Sequence, residues 1–385
     1  GEPFFLFGTA FLRAHLYRGR IDEILSDIQA KGYTAVIPTF SSRSSEIAAS
    51  REDIEYFFET ASKHHLKVIP WIEAKAFKDS KGNTVIVRRE KPPVVLEQYK
   101  KEILFLIDTI KDHPALLAWY LYDEPYRKDL IEFQFTEKIT DYARTLDPYH
   151  PMYINYNQAL KDELHFSNCH IPGDIVSMTQ YPVPLAALSD IAENTGIESI
   201  AAQGHKPVLV WLQFWSGHGR YPTVRELSCM TYLSAIYGAT GFYTWPLMPG
   251  SLNLWNSVEK NIDEMKLLYP ILISRTSRIN LKNYSDNIHY ITKEYGENLY
   301  LIAANACDNT IRSTFELDIP HRYGIDHIRS LEKNTPVEVS DKKFSSSERN
   351  FGKQSTAANL QSWGTEFVAE KETVHGYENK IYNKI

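Results

Sequence analysis

The sequence has 385 residues, 13% of them aromatic, and a formal net charge of −6 with both signs mixed along the chain. This length allows one large domain and one small domain. The charge balance leaves no basic footprint for nucleic acid. Every apolar run is shorter than the roughly 18 to 20 residues that a membrane helix needs, so no membrane span is predicted.

Strand-like and helix-like segments alternate from residue 4 to about residue 274. The eight predicted strands are 4–11, 35–40, 67–73, 116–124, 152–157, 175–181, 207–215 and 241–245. Apolar residues at helical spacing follow most of these strands. A polar loop is expected over 74–93, and segment 158–173 has only weak helical periodicity.

Eight β/α units in this span predict a (β/α)8 TIM barrel over residues 1–278. The alternation requires parallel strands joined by right-handed crossovers. A doubly wound open sheet would usually carry a glycine-rich phosphate turn after its first strand, and Gly8-Thr9-Ala10-Phe11 is not such a turn.

The hydrophobic pattern changes near Arg278 from helical spacing to alternation with period two. Short strands are predicted at 287–295, 298–304, 311–319, 327–331 and 366–377. They predict a small antiparallel, β-sandwich-like domain over residues 279–385. The polar segment 345–364 is expected to form a long loop.

The cysteines and histidines follow no metal-binding or disulfide pattern. Cys169, Cys229 and Cys307 are isolated and lack CxxC spacing, which argues against a disulfide framework and a cysteine zinc site. The histidines lack the HExxH pattern of a zinc site. We therefore expect no metal and no cofactor, and the sequence leaves the oligomeric state open.

The most informative run ends the fourth predicted strand. Apolar and aromatic residues up to Tyr122 suit a strand that is covered on both faces, and the run then changes to Asp123-Glu124-Pro125. Pro125 cannot donate a ladder hydrogen bond, so strand pairing stops there. A carboxylate pair at this end of a barrel strand lies where such barrels keep their chemistry.

The other strand ends predict a mouth of carboxylates, amides and aromatics with few cations. Candidates that face it are Glu73, Asp123, Glu124, Asn155, Asn157, Tyr181, Gln213, Trp215, Tyr243 and Trp245, with Tyr122 beside the carboxylate pair. Sugars suit this mixture, because aromatic faces cover their C–H surfaces while amides and carboxylates bind their hydroxyls. A phosphate-binding mouth would want arginine, lysine or a glycine nest.

At these residues the chain resembles the retaining glycoside hydrolases of clan A. Those enzymes carry Asn-Glu at the end of the fourth strand, with Glu as general acid/base. Here Tyr122-Asp123-Glu124-Pro125 occupies that place, with Asp for Asn, and Trp245 matches a tryptophan that ends the eighth strand. The resemblance implies hydrolysis of an O-glycosidic bond in an oligo- or polysaccharide, with Glu124 as general acid. It favours an extracytoplasmic location, periplasmic or secreted, with any targeting segment absent from this sequence.

The seventh strand departs from the clan pattern. Clan A enzymes carry their nucleophilic Glu at the end of this strand, where the present chain has Gln213. An amide cannot form the glycosyl ester. Either the second catalytic group comes from elsewhere, or the protein is not a retaining enzyme of this clan.

Three interpretations stay open. Asp123-Glu124 also resembles the β-hexosaminidases, in which the 2-acetamido oxygen of the substrate attacks, the Asp stabilises that amide and the Glu is the acid; Tyr181 would steady the acetamido group. Alternatively Glu73 acts as base or nucleophile, although Lys75 offers it a plain ion pair. In the third interpretation the barrel binds carbohydrate without catalysis.

Each assignment also has a structural alternative. Glu124 could interact with the dipole of the following helix, and Asp123 could be a buried orienter bonded to a neighbouring Arg or Tyr. Gln213 could be a satisfied amide at the barrel end. Large aromatics more often fill a core, and Trp119 and Trp211, deeper in their strands, are expected to do so.

Overall fold

The computed structural model describes residues 3–40, 49–72, 76–78, 84–86, 92–125, 130–157, 171–217, 219–277, 280–283, 286–307, 312–318, 329–330, 339–340, 343–347 and 364–370. The chain divides into two compact units, Gly1–Tyr269 and Pro270–Ile385. This division lies a few residues before the predicted boundary after residue 278.

The first unit alternates strands and helices. Its strands are β1 (Leu6–Phe11), β2 (Ala35–Pro38), β3 (Lys67–Val68), β4 (Ala76–Lys78), β5 (Thr84–Ile86), β6 (Trp119–Asp123), β7 (Met152–Asn157), β8 (Ile175–Thr179), β9 (Val208–Gln213) and β10 (Gly241–Trp245). The helices are α1 (Ile21–Ala30), α2 (Arg51–Lys63), α3 (Pro92–Ile110), α4 (Leu130–Leu146), α5 (Ser189–Ala201), α6 (Val224–Ile236) and α7 (Leu252–Leu272), and a 3-10 helix covers Ala14–Arg20.

Eight of these strands form one parallel sheet in the order β3-β2-β1-β10-β9-β8-β7-β6. Single bridges between Val68 and Leu116 and between Trp71 and Tyr120 join β3 to β6. These bridges connect the two ends of the sheet and make it a barrel. The predicted (β/α)8 TIM barrel is therefore confirmed. The polar loop predicted over 74–93 also contains a β4-β5 hairpin, which the sequence pattern did not indicate.

Local signals in the sequence explain where the helices begin. The side chain of Ser50 accepts a hydrogen bond from the Asp53 backbone N–H, and Asp53 in turn accepts one from the Ser50 backbone N–H. Thr223 and Glu226 form the same reciprocal pair at the start of α6. Each pair satisfies two N–H groups that a helix start leaves without an intrahelical partner.

Aromatic rings fill the centre of the barrel. Trp71 stacks on Tyr120 at 5.0 Å between ring centroids, and Tyr120 lies 4.4 Å from Tyr153. Trp211 lies 4.9 Å from Tyr243 in the same way. A Cβ built on Gly8 would lie 2.5 Å from the Tyr243 ring, so only glycine leaves room for that ring.

Trp119 and Trp211 are buried, as expected from their positions deep in their strands. Trp119 Nε1 donates to Asp147 Oδ2 at 2.8 Å, and His150 Nδ1 lies 2.7 Å from the same carboxylate oxygen. These contacts satisfy the buried indole N–H, as buried polar groups require.

The second unit contains two antiparallel sheets. Its strands are β11 (Arg275–Thr276), β12 (Asn280–Asn283), β13 (Ile288–Tyr295), β14 (Asn298–Asn305), β15 (Arg312–Asp318), β16 (Arg329–Ser330), β17 (Val339–Ser340), β18 (Lys343–Ser347) and β19 (Gly364–Glu370). One sheet has the order β11-β13-β14-β19-β16 and the other β12-β15-β18-β17. The rings of Tyr290 and Phe315, one from each sheet, meet edge to face at 5.7 Å.

The prediction of a small antiparallel β domain after the barrel is thus confirmed. The loop predicted over 345–364 begins inside β18, and residues 348–363 lie outside the described part of the chain. Among the helices of the described residues, none combines the length and apolarity needed to cross a membrane.

Candidate functional site

Asp123 and Glu124 lie at the carboxyl end of β6, on the face where the parallel strands end. Both side chains are half-buried. At the ends of the other barrel strands, the described residues contribute amides, hydroxyls and aromatics but no further carboxylate. Glu73, the other predicted catalytic group, lies outside the described residues.

An irregularity in β6 turns Asp123 toward the barrel interior. Tyr120 pairs with Tyr153 and Asp123 pairs with Asn155, so β6 has one more residue between these pairs than β7 does. In a regular strand, residues three positions apart would face opposite sides. The extra residue places Tyr120 and Asp123 on the same inner side, in keeping with the way β-bulges re-aim side chains.

Glu124 has an uncommon backbone conformation. Its φ of 52° lies in the left-handed region, which is sparsely populated for residues other than glycine. The Glu124 N–H donates to the Asn155 carbonyl oxygen at 2.8 Å, which holds this turn against β7. Conformations of this kind cluster at active sites and ligand clamps.

Two donors converge on one oxygen of Asp123. The Tyr120 hydroxyl donates to Asp123 Oδ1 at 2.7 Å, and Asn155 Nδ2 donates to the same atom at 2.9 Å. Asn155 Nδ2 also donates to Thr179 Oγ1 at 2.9 Å. Asp123 therefore has the tyrosine-bonded placement that was its structural alternative, and it also faces inward beside Glu124.

Further polar contacts extend from Asn155 into the barrel. Ser177 Oγ donates to Asn155 Oδ1 at 2.6 Å, and the Tyr153 hydroxyl lies 2.6 Å from Ser177 Oγ. Trp211 Nε1 donates to the Tyr153 hydroxyl at 2.8 Å. Ser177 and Tyr153 were not among the predicted site residues. Their signal was the presence of polar groups at inward, period-two positions of strands that otherwise read as apolar.

Tyr181 lies close enough to Asp123 and Glu124 for their charges to affect the pKa of its phenol. Burial raises the pKa of its phenol well above the ordinary value, and the charges of Glu124 and Asp123 raise that pKa further. Tyr181 is therefore a neutral hydroxyl at neutral pH. Its ring meets Trp215 edge to face at 5.8 Å, so these two predicted sugar-contact residues do lie together.

Gln213 is fully buried and bonded to the protein backbone. Its Oε1 accepts from the Val183 N–H at 2.9 Å, and its Nε2 donates to the Val183 carbonyl at 2.8 Å. The same Nε2 lies 3.3 Å from the Trp215 carbonyl oxygen. These contacts tie the end of β9 to the segment after β8. Gln213 therefore matches its structural alternative, an amide at the barrel end whose hydrogen bonds are satisfied by the protein.

The remaining predicted contact residues occupy different layers. Trp245 is partly exposed and meets Trp71 and Trp211 edge to face, at 6.2 and 5.9 Å, so it covers the aromatic core at the strand ends. Tyr243 is completely buried in that core. Tyr122 packs between strand and helices, 5.8 Å from the Tyr99 ring and 5.5 Å from the Phe135 ring. Neither Tyr243 nor Tyr122 is brought to the mouth with the carboxylates.

Asn155 is buried against Asp123, so it is brought to the carboxylate pair as a partner of Asp123.

Among the described residues, no group of three or more histidine, cysteine, aspartate or glutamate side chains is arranged to hold a metal ion. The described residues at the mouth offer carboxyl groups, amides, hydroxyls and aromatic faces.

No protein-family model matches this chain, and no curated protein matches it in sequence. Glycoside hydrolases are among its structural neighbours. They include a β-galactosidase from the psychrophilic Marinomonas ef1, with 12% identity, a TM-score of 0.54, and coverage of 68% of this chain but only 60% of that chain. A GH30 endoxylanase from Clostridium papyrosolvens C71 is 12% identical, with a TM-score of 0.51 and coverage of 96% and 97%. An α-amylase from Geobacillus thermoleovorans is 11% identical, with a TM-score of 0.57 and coverage of 94% and 92%.

At this identity the likeness shows a shared fold. That fold is the TIM barrel, in agreement with the architecture predicted from the alternation of strands and helices. Because the named neighbours act on different glycans, the fold alone does not select a substrate.

Proposed function

We propose that this protein is a glycosidase that hydrolyses an O-glycosidic bond in an oligo- or polysaccharide, with Glu124 as general acid. The observation that carries the proposal is the pair at the end of β6. Asp123 is turned inward by the strand irregularity, and Glu124 follows it in a left-handed turn held to β7. Barrels of this kind place their catalytic groups at this face.

In the proposed reaction, the protonated carboxyl of Glu124 gives its proton to the leaving glycosidic oxygen as the C–O bond breaks. Positive charge then develops at the anomeric carbon, and the Asp123 carboxylate stabilises it or orients the group that attacks there. Water finally supplies a hydroxyl to the anomeric carbon and returns a proton to Glu124. Trp215, Trp245 and Tyr181 would provide faces for the sugar rings.

The second catalytic group distinguishes two forms of this mechanism. The buried, backbone-bonded Gln213 supports a mechanism without an ester on β9. If Asp123 stabilises a substrate acetamide, activity requires a 2-acetamido sugar and a thiazoline mimic of the cyclised intermediate binds tightly. If Glu73 is the partner, sugars with a plain 2-hydroxyl are substrates, and Glu73→Gln damages activity as much as Glu124→Gln.

A panel of aryl glycosides and natural oligosaccharides, assayed with wild type and Glu124→Gln, tests the proposal. Glu23→Gln is a matched control, because the Glu23 side chain is largely exposed on α1. Cleavage of a glycan by wild type and by the control, with loss in Glu124→Gln, is the expected result. Binding of the same glycans without any cleavage would instead establish a non-catalytic carbohydrate-binding barrel. That second candidate is supported by Gln213, which stands where clan A enzymes carry their nucleophile.

We also propose an extracytoplasmic location, because a polysaccharide substrate would be met outside the cytoplasm. Fractionation of cells that express the full-length gene product tests this. Recovery in the periplasm or medium is expected, and recovery in the cytoplasm alone would contradict it.

A further inference from the structure

A chain of hydrogen bonds runs through the side chains of Trp211, Tyr153, Ser177, Asn155 and Asp123. Along it, each group donates its proton to the next group toward Asp123. An indole N–H only donates, so the Tyr153 oxygen accepts from Trp211. The carbonyl oxygen of Asn155 only accepts, so Ser177 must give it the single proton of its hydroxyl. The hydroxyl proton of Tyr153 is then the one that lies between Tyr153 and Ser177.

The Asp123 carboxylate fixes which way the Asn155 amide faces, because a carboxylate only accepts hydrogen bonds and so requires the amide N–H2 on its side. A flipped amide would put its oxygen against the Asp123 carboxylate and its N–H2 against the proton of Ser177. In the observed orientation, Asn155 Nδ2 donates to Asp123 Oδ1, which also accepts from the Tyr120 hydroxyl. The side chains of Tyr153 and Ser177 are completely buried, so water does not compete for their hydrogen bonds.

We infer that Tyr153, Ser177 and Asn155 are positioning residues that hold Asp123 in one orientation, as a hydrogen-bond acceptor toward the substrate. The inference rests on the proposed function, since it gives Asp123 a contact with substrate. It assigns Asp123 the task of orienting a substrate N–H or O–H, while Glu124 remains the proposed proton donor.

The effect of a new charge beside Asp123 depends on the titratable and polar groups around it. Its neighbours are Glu124, the Asn155 amide and the hydroxyls of Tyr120, Tyr153 and Tyr181. Burial is the largest cause that raises the pKa of each of these phenols, and the charge of Asp123 raises them further. All three tyrosines therefore stay neutral, and a new carboxyl at position 155 would be the added titrating group.

The pH dependence of kcat/KM in Asn155→Asp tests whether Asn155 positions Asp123. A protonated carboxyl at position 155 still donates to Asp123, whereas the ionised form repels it, because two carboxylates this close share one proton. We expect kcat/KM within about tenfold of wild type at pH 5, then a fall of about tenfold per pH unit once the shared proton is lost. Wild type has only the alkaline limb set by its general acid Glu124, so the profile of Asn155→Asp should turn down at a lower pH or fall more steeply than that of wild type. A variant profile with the wild-type shape would overturn the inference.

Asn261→Asp is the matched control for this exchange. Asn261 is also buried, and its Nδ2 donates to a threonine hydroxyl, Thr231 Oγ1, at 2.7 Å between α6 and α7. The control should lose stability but keep the wild-type pH profile. A new limb in the control as well would show that the limb reports a buried charge in general, which would overturn the inference.

Ser177→Ala gives a second variant that adds no charge. It removes the hydrogen bond that Ser177 donates to the Asn155 amide oxygen and leaves Asn155, Asp123 and Glu124 in place. We expect kcat to fall roughly three- to tenfold with little change in KM, as for loss of a hydrogen bond that orients a group in the transition state. An unchanged kcat in folded protein would count against the positioning role.

A double variant separates this inference from the proposed function. Asp123→Asn combined with Asn155→Asp restores one amide and one carboxylate, so the melting temperature at pH 8 should recover relative to Asn155→Asp alone. No recovery would overturn the inference. Wild type that cleaves no glycan would refute the proposed function, and the recovery measured in the double variant would still decide whether the chain orients this pair.

Discussion

Gln213→Glu would install a carboxylate where clan A enzymes carry their nucleophile, and we expect it to destabilise the barrel without raising activity. Gln213 donates to the carbonyl oxygens of Val183 and Trp215 and is fully buried. An ionised glutamate has no proton to donate and would face both carbonyls with a negative charge. Only the protonated acid can reproduce the Gln213–Val183 pairing.

The magnitude follows from the cost of keeping that acid protonated. Glutamate has a pKa of about 4.3 in an unfolded chain, and each pH unit above it costs about 1.4 kcal/mol. If burial holds the folded-state pKa above 7, the free energy of unfolding falls by about 4 kcal/mol at pH 7. The sign is fixed by linkage: the folded pKa is raised, so the loss is absent below about pH 4.3 and grows as pH rises.

Urea unfolding of wild type and Gln213→Glu at pH 5 and pH 7.5 measures this difference. Gln213→Leu is the control, because it deletes the hydrogen bonds without a titrating group and should cost the same at both pH values. Equal stability of Gln213→Glu and wild type at pH 7.5 would refute the reasoning. A gain in glycosidase activity would refute it independently, because it would mean that position 213 can reach a substrate.

Three further predictions concern the scaffold. Gly8→Ala should lower the free energy of unfolding by about 1–3 kcal/mol, because its Cβ would lie 2.5 Å from the Tyr243 ring; urea unfolding checks this, and a neutral effect would contradict the packing. Burial opposes ionisation of Asp147, but hydrogen bonds from Trp119 and the 149–150 segment outweigh it and lower the Asp147 pKa. The resulting stabilisation is present above an unfolded pKa of about 3.9 and is lost as pH falls, so Asp147→Asn should flatten the acid side of a melting-temperature profile. Ser50→Ala should cost about 1 kcal/mol through the lost helix cap, measured by thermal unfolding, and Ser50→Thr should retain most of it.

The sequence predicted the barrel because strand and helix periods alternate along it and parallel pairing follows from that alternation. Each predicted barrel strand contains an observed one, although β3 is limited to Lys67–Val68, with Trp71 joined by single bridges. The strand ends, and hence the place of Asp123 and Glu124, followed from the same pattern. The period-two segments after residue 278 likewise predicted the main strands of the second unit, while short strands such as β11 and β17 gave too little pattern to be recognised.

The orientation of individual side chains was not predictable in the same way. The extra residue in β6 reverses the inward and outward positions after Tyr120, so Asp123 turns in while Tyr122 turns toward the helices. A strict alternation would have placed these two residues the other way round. The role of Gln213 also depends on Val183, which lies far away in sequence and reaches it only through the fold.

The central claim is that Glu124 gives a proton to a glycosidic oxygen, and its most direct test is leaving-group dependence in Glu124→Gln. For substrates with poor leaving groups, such as natural glycans, the variant should lose roughly 10²–10⁴ in kcat/KM, the usual worth of general acid catalysis. For activated aryl glycosides, whose leaving group needs no proton, the loss should be much smaller. An equal loss on both substrate classes, or full activity of Glu124→Gln on a natural glycan, would contradict the assignment.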